Sequence, residues 1–335
     1  MPPTSLGVVG LSTSIPGGLI DLLAPRGFVL TALAYDDSQE EECKRAADLQ
    51  AQWPGLEIVP DAAALVDCRV EAALCAPQAH RRLDAARPLI EARIPTVIDK
   101  QLAPDYARAR AILDLVEQHG APLMAGSGLR FSRCYADLCE IVRAGKIGAP
   151  LFAECFIPHG TLPGYWQDLR SASGGLCVNF GIHVVEPLIA ALGPEVVSVH
   201  AYAAKQTLAD SDSEDTMVVT AQWASGAIGI GRVSAGYHWG QSPAIPTVSS
   251  FAVHATEGAL ETFVDESDIK VHRGGNFGVT GSYELNSGMP GYADAFVRMV
   301  ETGERPIPLA EMDAVMRVLD AARASLDTGQ AVALR

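Results

Sequence analysis

The sequence is short of positive charge. Its 335 residues include 25 lysines and arginines against 40 aspartates and glutamates, which gives a formal net charge of −15 at pH 7. Proteins bind nucleic-acid phosphates and anionic lipid surfaces through lysine and arginine. This charge balance argues against a nucleic-acid partner and against binding to a membrane surface.

Long apolar runs and a leader segment are also missing. No stretch reaches the roughly 20 apolar residues of a membrane-spanning helix. The first ten residues, MPPTSLGVVG, lack the basic region and apolar core of a secretory leader. We therefore expect a cytoplasmic protein, and 48% hydrophobic with 19% charged residues predicts a folded chain long enough for two domains.

Paired cysteines and metal-binding spacings are absent as well. The seven cysteines are scattered without a C-x-x-C pair, and the eight histidines show no H-E-x-x-H or comparable spacing. An odd number of cysteines in apolar surroundings is typical of buried, reduced thiols in a cytosolic protein. We predict neither disulfides nor a metal site.

What is present in the first half is an alternation of short apolar strands and amphipathic helices. Such alternation predicts an α/β fold with a parallel, doubly wound Rossmann sheet. The predicted strands lie at 6–10, 29–35, 71–76, 95–99 and 122–126, with a shorter one at 56–59, and the predicted helices at about 17–24, 38–52, 78–92 and 104–119.

The second half is dominated by strand signals. From 195 to 273, β-rich runs are separated by Gly, Ser and Asp, and two helices follow near 291–303 and 309–328. We predict a dinucleotide-binding domain at 1–127 and, at 128–335, an α+β domain for substrate binding and oligomerisation. Its sheet is expected to be large and mostly antiparallel, and we expect the last helices to return to the first domain.

The segment VVGLSTSIPGG, residues 8–18, has the order strand, turn and helix but lacks two glycines of the G-x-G-x-x-G fingerprint. Gly10 fits the tight turn, whereas Ser12 and Ile15 occupy the other two positions. Ser12 is small enough to leave phosphate access and adds a hydroxyl donor, while Ile15 is expected to delay the helix to near Pro16. An ordinary strand-to-helix turn explains this segment equally well.

Polar residues follow the second and later strands. Asp36, 26 residues after Gly10, is placed to accept hydrogen bonds from ribose hydroxyls and to repel a 2′-phosphate. Asp37 competes for that role, and a solvated turn carboxylate is the alternative. The segments CAPQAH (75–80) and VIDKQLAP (97–104) end the next strands, so both are predicted at the crevice where parallel sheets bind ligands, with Lys100 as the cation there.

The segment SGGLCVNFGIHVVEP, residues 173–187, places a histidine and an amide on one predicted helix. Asn179 and His183 are four residues apart, and Glu186 follows three later, so in a single helix the three share a face. The nearby glycines allow close approach of a ligand or of other backbone. A core histidine with satisfied hydrogen bonds is the alternative.

These segments, in this order, resemble the glucose–fructose oxidoreductase/inositol dehydrogenase (Gfo/Idh/MocA) family over nearly the whole chain. CAPQAH corresponds to the family's T-P-x-x-x-H, DKQLA to E-K-P-L-A, and GLRF to its R-F segment. GKIGAP corresponds to G-x-I-G, GGLCVNFGIH to G-G-x-x-x-D-x-G-x-H, and ASLDTGQAV to the last helix. By this resemblance Lys100, Asn179 and His183 occupy the catalytic positions.

The resemblance implies an oxidoreductase that transfers hydride between NAD, rather than NADP, and a carbohydrate-like alcohol or ketone. His183 is then the general base, Lys100 holds the hydroxyl and Asn179 orients the substrate or Lys100. It also implies a homodimer or homotetramer formed through the open face of the second sheet. The implied cofactor-binding residues are Gly10, Ser12, Ile15, Asp36, Ala76, Pro77, His80 and Lys100, and the implied substrate-binding residues are Lys100, Arg130, Tyr165, Trp166, Asn179 and His183.

Four departures from the family pattern keep two other functions open. Besides Ser12 and Ile15, Gln101 replaces a proline that often follows a cis peptide, so a trans or strained bond is expected. Asn179 replaces an aspartate and removes a negative charge beside the predicted site. The alternatives are tightly held NAD in a lyase or hydrolase cycle, and a non-catalytic, ligand-binding member.

Overall fold

The computed structural model describes residues 3–13, 15–158, 166–206, 211–234, 250–263, 268–273, 276–282 and 288–334. These residues form two compact units. The first unit comprises Met1–Ala103, Ala107–Gly126 and Tyr292–Leu309, and the second comprises Pro104–Tyr106, Ser127–Gly291 and Ala310–Arg335.

The first unit contains a six-stranded sheet whose strands are all parallel, in the order β3-β2-β1-β4-β5-β6. Strands β4 to β6 are buried along their whole length, as expected for a parallel sheet covered on both faces. The strands are β1 (Thr4–Val9), β2 (Phe28–Ala34), β3 (Glu57–Ile58), β4 (Ala72–Cys75), β5 (Thr96–Ile98) and β6 (Leu123–Ala125), and the helices are α1 (Ile15–Leu23), α2 (Glu40–Gln52), α3 (Ala62–Asp67), α4 (Arg82–Glu91) and α5 (Tyr106–His119).

This unit confirms the predicted Rossmann sheet and adds one helix. The sequence did not predict α3, a helix of six residues that is too short for a clear apolar period. Its start is nevertheless defined, because the carboxylate of Asp61 accepts the Ala64 N–H at 3.0 Å and caps the helix.

The second unit contains a nine-stranded sheet, counted over the ranges given above, in the order β14-β13-β12-β11-β7-β10-β9-β8-β15. Neighbouring strands are antiparallel except for β7 and β10. The strands are β7 (Pro150–Pro158), β8 (Val196–Ala204), β9 (Thr216–Trp223), β10 (Ile228–Ser234), β11 (Ser250–Ala255), β12 (Gly258–Phe263), β13 (Asp268–Arg273), β14 (Asn276–Ser282) and β15 (Val332–Ala333).

Burial alternates along the central strands of this sheet, so one face is covered and the other is open. On the covered face a Cβ on Gly231 would lie 2.8 Å from Cγ2 of Val184, which shows how closely helix α9 approaches β10. The remaining helices of the chain are α6 (Arg133–Arg143), α7 (Arg170–Ser173), α8 (Gly175–Asn179), α9 (Ile182–Leu192), α10 (Met289–Thr302) and α11 (Leu309–Thr328). The predicted α+β architecture is therefore confirmed.

The single helix predicted over Asn179 and His183 is wrong. Helix α8 ends at Asn179, α9 begins at Ile182, and the chain bends by 50° between Arg170–Asn179 and Ile182–Leu192. Gly181 allows the bend, since a Cβ there would lie 1.9 Å from the carbonyl oxygen of Cys177. No single helix among the described residues is long and apolar enough to cross a membrane. This bent pair has the length and apolar composition of a membrane span only when its two parts are taken together.

Candidate functional site

The first unit has a cavity of about 610 Å³ at the carboxyl ends of β1, β2 and β4. Open parallel sheets bind ligands at this edge. Its walls include Gly10 after β1, the end of β2 with Asp36 and Asp37, and Pro77 after β4. Of the CAPQAH segment, Pro77 and Gln78 line the cavity, whereas Ala76 and His80 are not among the described lining residues.

Gly10 makes the tight turn predicted at the end of β1. Its φ of +79° lies in the left-handed region, and a Cβ on Gly10 would lie only 2.3 Å from the backbone nitrogen of Pro77. No larger residue fits without moving the loop that follows β4. The backbone at Gly10 therefore reaches the cavity wall because this residue has no side chain.

Ser12 ties the loop after β1 to the end of β4. Its hydroxyl donates to the carbonyl oxygen of Ala76 at 2.8 Å, and its N–H donates to the same oxygen at 3.2 Å. The hydrogen bond from this hydroxyl to a pyrophosphate stays a prediction. Helix α1 begins at Ile15, one residue before the predicted Pro16, and the side chain of Ile15 lies outside the described part of the structure.

Glu42 on α2 is a cavity residue that the sequence reasoning missed. Its buried Oε2 accepts the N–H of Leu11 at 3.0 Å and the N–H of Asp36 at 3.1 Å. Three residues later, Arg45 donates to the carbonyl oxygen of Leu11 at 2.6 Å. Both backbone polar groups of Leu11 are thus fixed by α2. In the sequence Glu42 looked like one of three acidic residues that favour a helix N-terminus.

Asp36 lies at the cavity wall and is itself held in place. Its Oδ1 accepts hydrogen bonds from the Ser38 hydroxyl at 2.6 Å and the Ser38 N–H at 3.1 Å, and its Oδ2 pairs with Arg81. These interactions, led by the Ser38 hydroxyl, hold the pKa of the Asp36 carboxyl below its usual value. Asp36 therefore presents a charged acceptor at neutral pH, with Arg81 beside it.

Lys100 follows β5 and is buried, with 8% of its surface exposed. Burial lowers the pKa of its ammonium to about 8, opposed by the carboxylate of Asp99 and reinforced by the guanidinium of Arg82. The Lys100–Gln101 bond is trans, as expected without the family's proline. A lysine of this kind exchanges protons near neutral pH.

Arg82 fixes the backbone on both sides of Lys100. Its guanidinium donates to the carbonyl oxygens of Asp99 at 2.8 Å, Pro77 at 3.1 Å and Gln101, and pairs with Oδ2 of Asp99 at 3.1 Å. Both side chains are fully buried. Sequence reasoning overlooked Arg82, because an arginine in the first turn of a helix is ordinarily a surface residue.

In the second unit, His183 belongs to a polar cluster that includes Ser127, directly after β6. The hydroxyl oxygen of Ser127 lies 2.6 Å from Nδ1 of His183, and the Ser127 N–H donates to Oε2 of Glu186. Burial raises the pKa of the Glu186 carboxyl to about 7, although Arg130 and the Ser127 N–H act against that shift. Ser127 gave no signal in the sequence, since it lies 56 residues before His183.

The remaining predicted substrate residues are placed as follows. Arg130 pairs with Glu311 at 2.6 Å and lies 3.8 Å from Oε1 of Glu186, so two carboxylates hold its guanidinium. Asn179 is fully buried at the end of α8, and Trp166 is buried. Tyr165 lies outside the described residues.

Each unit thus contains one group of the predicted site residues. Lys100 is grouped with Arg82 and Asp99 in the first unit, and His183 with Ser127, Glu186 and Arg130 in the second. Within the described ranges, no three His, Cys, Asp or Glu side chains come together in a way that could hold a metal ion.

Part of the second unit matches a known family of domains. Residues 135–261 match the model of the GFO/IDH/MocA C-terminal domain. Myo-inositol dehydrogenase Hyg17 of Streptomyces leeuwenhoekii is 28% identical over 194 residues, which is 57% of this chain and 59% of that protein. The chain therefore spans about three fifths of the length of the first curated relatives that it matches.

Two further relatives extend the match. D-xylose 1-dehydrogenase (NADP(+)) 2 of Haloferax volcanii is 27% identical over 263 residues, 75% of this chain and 76% of that protein. The crystal structure of GenD2 from gentamicin A biosynthesis in complex with NAD superposes with a TM-score of 0.83, covering 100% of this chain and 97% of the other at 20% identity. That likeness shows the fold of both units.

Proposed function

We propose that this chain, whose residues 135–261 match the GFO/IDH/MocA C-terminal domain, is an oxidoreductase of that family that transfers hydride between NAD and a carbohydrate-like alcohol or the corresponding ketone. The observation that carries the proposal is the cavity at the carboxyl edge of the first sheet, with the Gly10 turn and the Asp36 carboxylate in its wall. Relatives named as inositol and xylose dehydrogenases support the substrate class.

The described residues fit the adenosine half of a dinucleotide. Gly10 leaves open the space that a Cβ would fill, and a Cβ on Gly17 or Gly18 would meet nothing within 4 Å, so the start of α1 carries little bulk. Helix N-termini attract phosphate through free amides and the helix dipole. Asp36 would accept hydrogen bonds from the ribose hydroxyls, and NAD would supply the acceptor or donor of the hydride.

The charge of the cavity favours NAD over NADP. Its lining contains five carboxylates and a single described cation, Arg81, which is already paired with Asp36. A 2′-phosphate would add about two negative charges to this wall, and like charges repel. The five carboxylates belong to Asp36, Asp37, Glu42, Asp61 and Asp84.

Three polar residues carry the chemistry in this proposal. Lys100 and His183 are the two candidate groups for proton exchange with the substrate, and Asn179 is the candidate that orients the substrate through its amide. Their assignment comes from the family pattern. The lowered pKa of Lys100 supports it, because a group that titrates near pH 8 exists in both protonation states under ordinary conditions.

The cofactor is tested by titrating the protein with NADH and NADPH and following bound-nicotinamide fluorescence. We expect NADH to bind more tightly, and Asp36→Ala to lower the NADH/NADPH preference roughly tenfold, because it removes ribose hydrogen bonds of about 1 kcal/mol and frees Arg81. Asp37→Ala is the matched control on the same wall. Tighter NADPH binding by the unsubstituted protein would overturn the role of Asp36.

We also propose a homodimer or homotetramer formed through the open face of the second sheet. Strand pairing places Ile228 beside Phe152, and Arg232 beside Phe156 and Val218, on the face away from α9. Ile228 is 42% exposed, and such an apolar patch needs a cover.

Light scattering at micromolar concentration tests this assembly. The expected mass is that of a dimer or tetramer. Ile228→Glu is expected to give monomers, because it adds a charge to the open face that the assembly would bury. Leu151→Glu, at a residue that alternates with Phe152 along β7, should leave the mass unchanged. A monomeric unsubstituted protein would contradict the proposal.

A further inference from the structure

The contact between Ser127 and His183 bears on where the proton of a neutral histidine ring lies. Ser127 is fully buried, and the structure records two partners for its hydroxyl oxygen: Nδ1 of His183 at 2.6 Å and the N–H of Leu129 at 3.2 Å. The Leu129 N–H is a donor, so the hydroxyl oxygen accepts from it. The second contact then decides the state of the ring.

A serine hydroxyl carries one hydrogen and two acceptor lone pairs. One lone pair is used by Leu129, and a buried hydroxyl that fails to donate loses stability. Among its described partners, Nδ1 of His183 is the acceptor within reach of the hydroxyl hydrogen. When Nδ1 accepts that hydrogen, the proton of the neutral ring lies on Nε2.

Ser127 is also held from the other side. Its N–H donates to Oε2 of Glu186, which lies on the same helix as His183. Helix α9 therefore binds Ser127 at two points, at the N–H and at the hydroxyl. This double contact keeps the hydroxyl oxygen at Nδ1 and leaves Nε2 as the ring nitrogen that the contact does not use.

We propose that Ser127 is a positioning residue that holds neutral His183 with its proton on Nε2, so that this ring nitrogen is a hydrogen-bond donor. This inference deepens the proposed function and rests on it for its chemical meaning. A ring that is protonated at Nε2 has no lone pair there to accept the proton of a substrate hydroxyl.

The tautomer is measured directly by long-range ¹H–¹⁵N correlation spectra of protein labelled with ¹⁵N-histidine, at a pH where His183 is neutral. A His183→Gln sample assigns the signal. We expect the unsubstituted protein to show one tautomer, with the proton on Nε2. We expect Ser127→Ala to shift the population towards Nδ1–H and Ser127→Thr, which keeps the hydroxyl, to restore it.

Ser132→Ala is the matched control, because Ser132 is also buried nearby in sequence but bonds to Cys134 and not to the histidine. A proton on Nδ1 in the unsubstituted protein, or an identical spectrum in Ser127→Ala, would overturn the proposal. The spectra need neither cofactor nor substrate. Failure of this inference is therefore distinguishable from failure of the proposed function, which the NADH titration tests.

Discussion

Replacing Arg82 by methionine is expected to lower the free energy of unfolding by about 3–5 kcal/mol, the usual cost of breaking a buried ion pair from one side. Methionine approximates the length of the arginine stem but leaves the Asp99 carboxylate without its buried counter-charge. It also removes the donor shared by the carbonyl oxygens of Pro77, Asp99 and Gln101. Both losses affect the buried backbone on either side of Lys100.

Urea unfolding followed by circular dichroism measures this loss. Arg81→Met is the control, because Arg81 is the preceding residue, is 53% exposed and pairs with Asp36 at the surface, where such pairs contribute about 0–1 kcal/mol. We expect the double variant Arg82→Met/Asp99→Asn to recover part of the loss, since it removes the uncompensated charge. Equal stabilities of the Arg82→Met and Arg81→Met proteins would contradict the role given to the buried pair.

Replacing Lys100 by methionine is expected to lower kcat for alcohol oxidation by roughly 10²–10⁴-fold, the range found for removal of a general acid or base. The unsubstituted protein should show a pH dependence that reports the same group. Lys100 accepts a proton only when neutral, so the oxidation rate should rise as the pH increases through about 8 and then level off. Reduction of a ketone needs the ammonium and should fall over the same interval.

This pH profile separates the two candidate proton acceptors. If neutral His183 took the proton instead, Lys100→Met would leave the rise with pH in place, whereas His183→Gln would abolish it. Lys146→Met, at an exposed lysine, is expected to leave kcat and the profile unchanged. A Lys100→Met protein with undiminished kcat would remove Lys100 from the chemistry.

The fold followed from the sequence because its signals are local. Short apolar runs and amphipathic segments alternate within about 30 residues, so the order of strands and helices could be predicted, and with it the position of Lys100 after the carboxyl end of β5. The tight turn at Gly10 could be predicted for the same reason, since a strand that ends in glycine before a helix indicates such a turn.

The site was less predictable because its contacts join distant residues. Ser127 and His183 are 56 residues apart, and Leu11 and Glu42 are 31 residues apart, so no pattern along the chain connects them. The prediction of a single helix over Asn179 and His183 was wrong for a different reason. Spacing alone suggested one continuous helix, whereas Gly181 permits a close backbone approach that ends it.

Ser12 makes a contact that the sequence did not predict. Its position beside the cavity loop was expected, but its hydrogen bond to Ala76 depends on how β4 lies against β1, and this is a property of the folded sheet. Glu42 is a second case, because its carboxylate reaches the loop from a helix whose sequence gave only a signal for the helix start.

Hydride transfer to NAD is tested most directly by mixing the purified protein with NAD and a panel of sugars and polyols and recording the absorbance of reduced nicotinamide. The reverse mixtures contain NADH and the corresponding ketones. We expect at least one polyol to yield NADH at a rate that Lys100→Met lowers by roughly 10²–10⁴-fold. NAD that binds but is never reduced or oxidised across the panel in either direction would contradict the proposed function and indicate a cofactor held for internal redox steps.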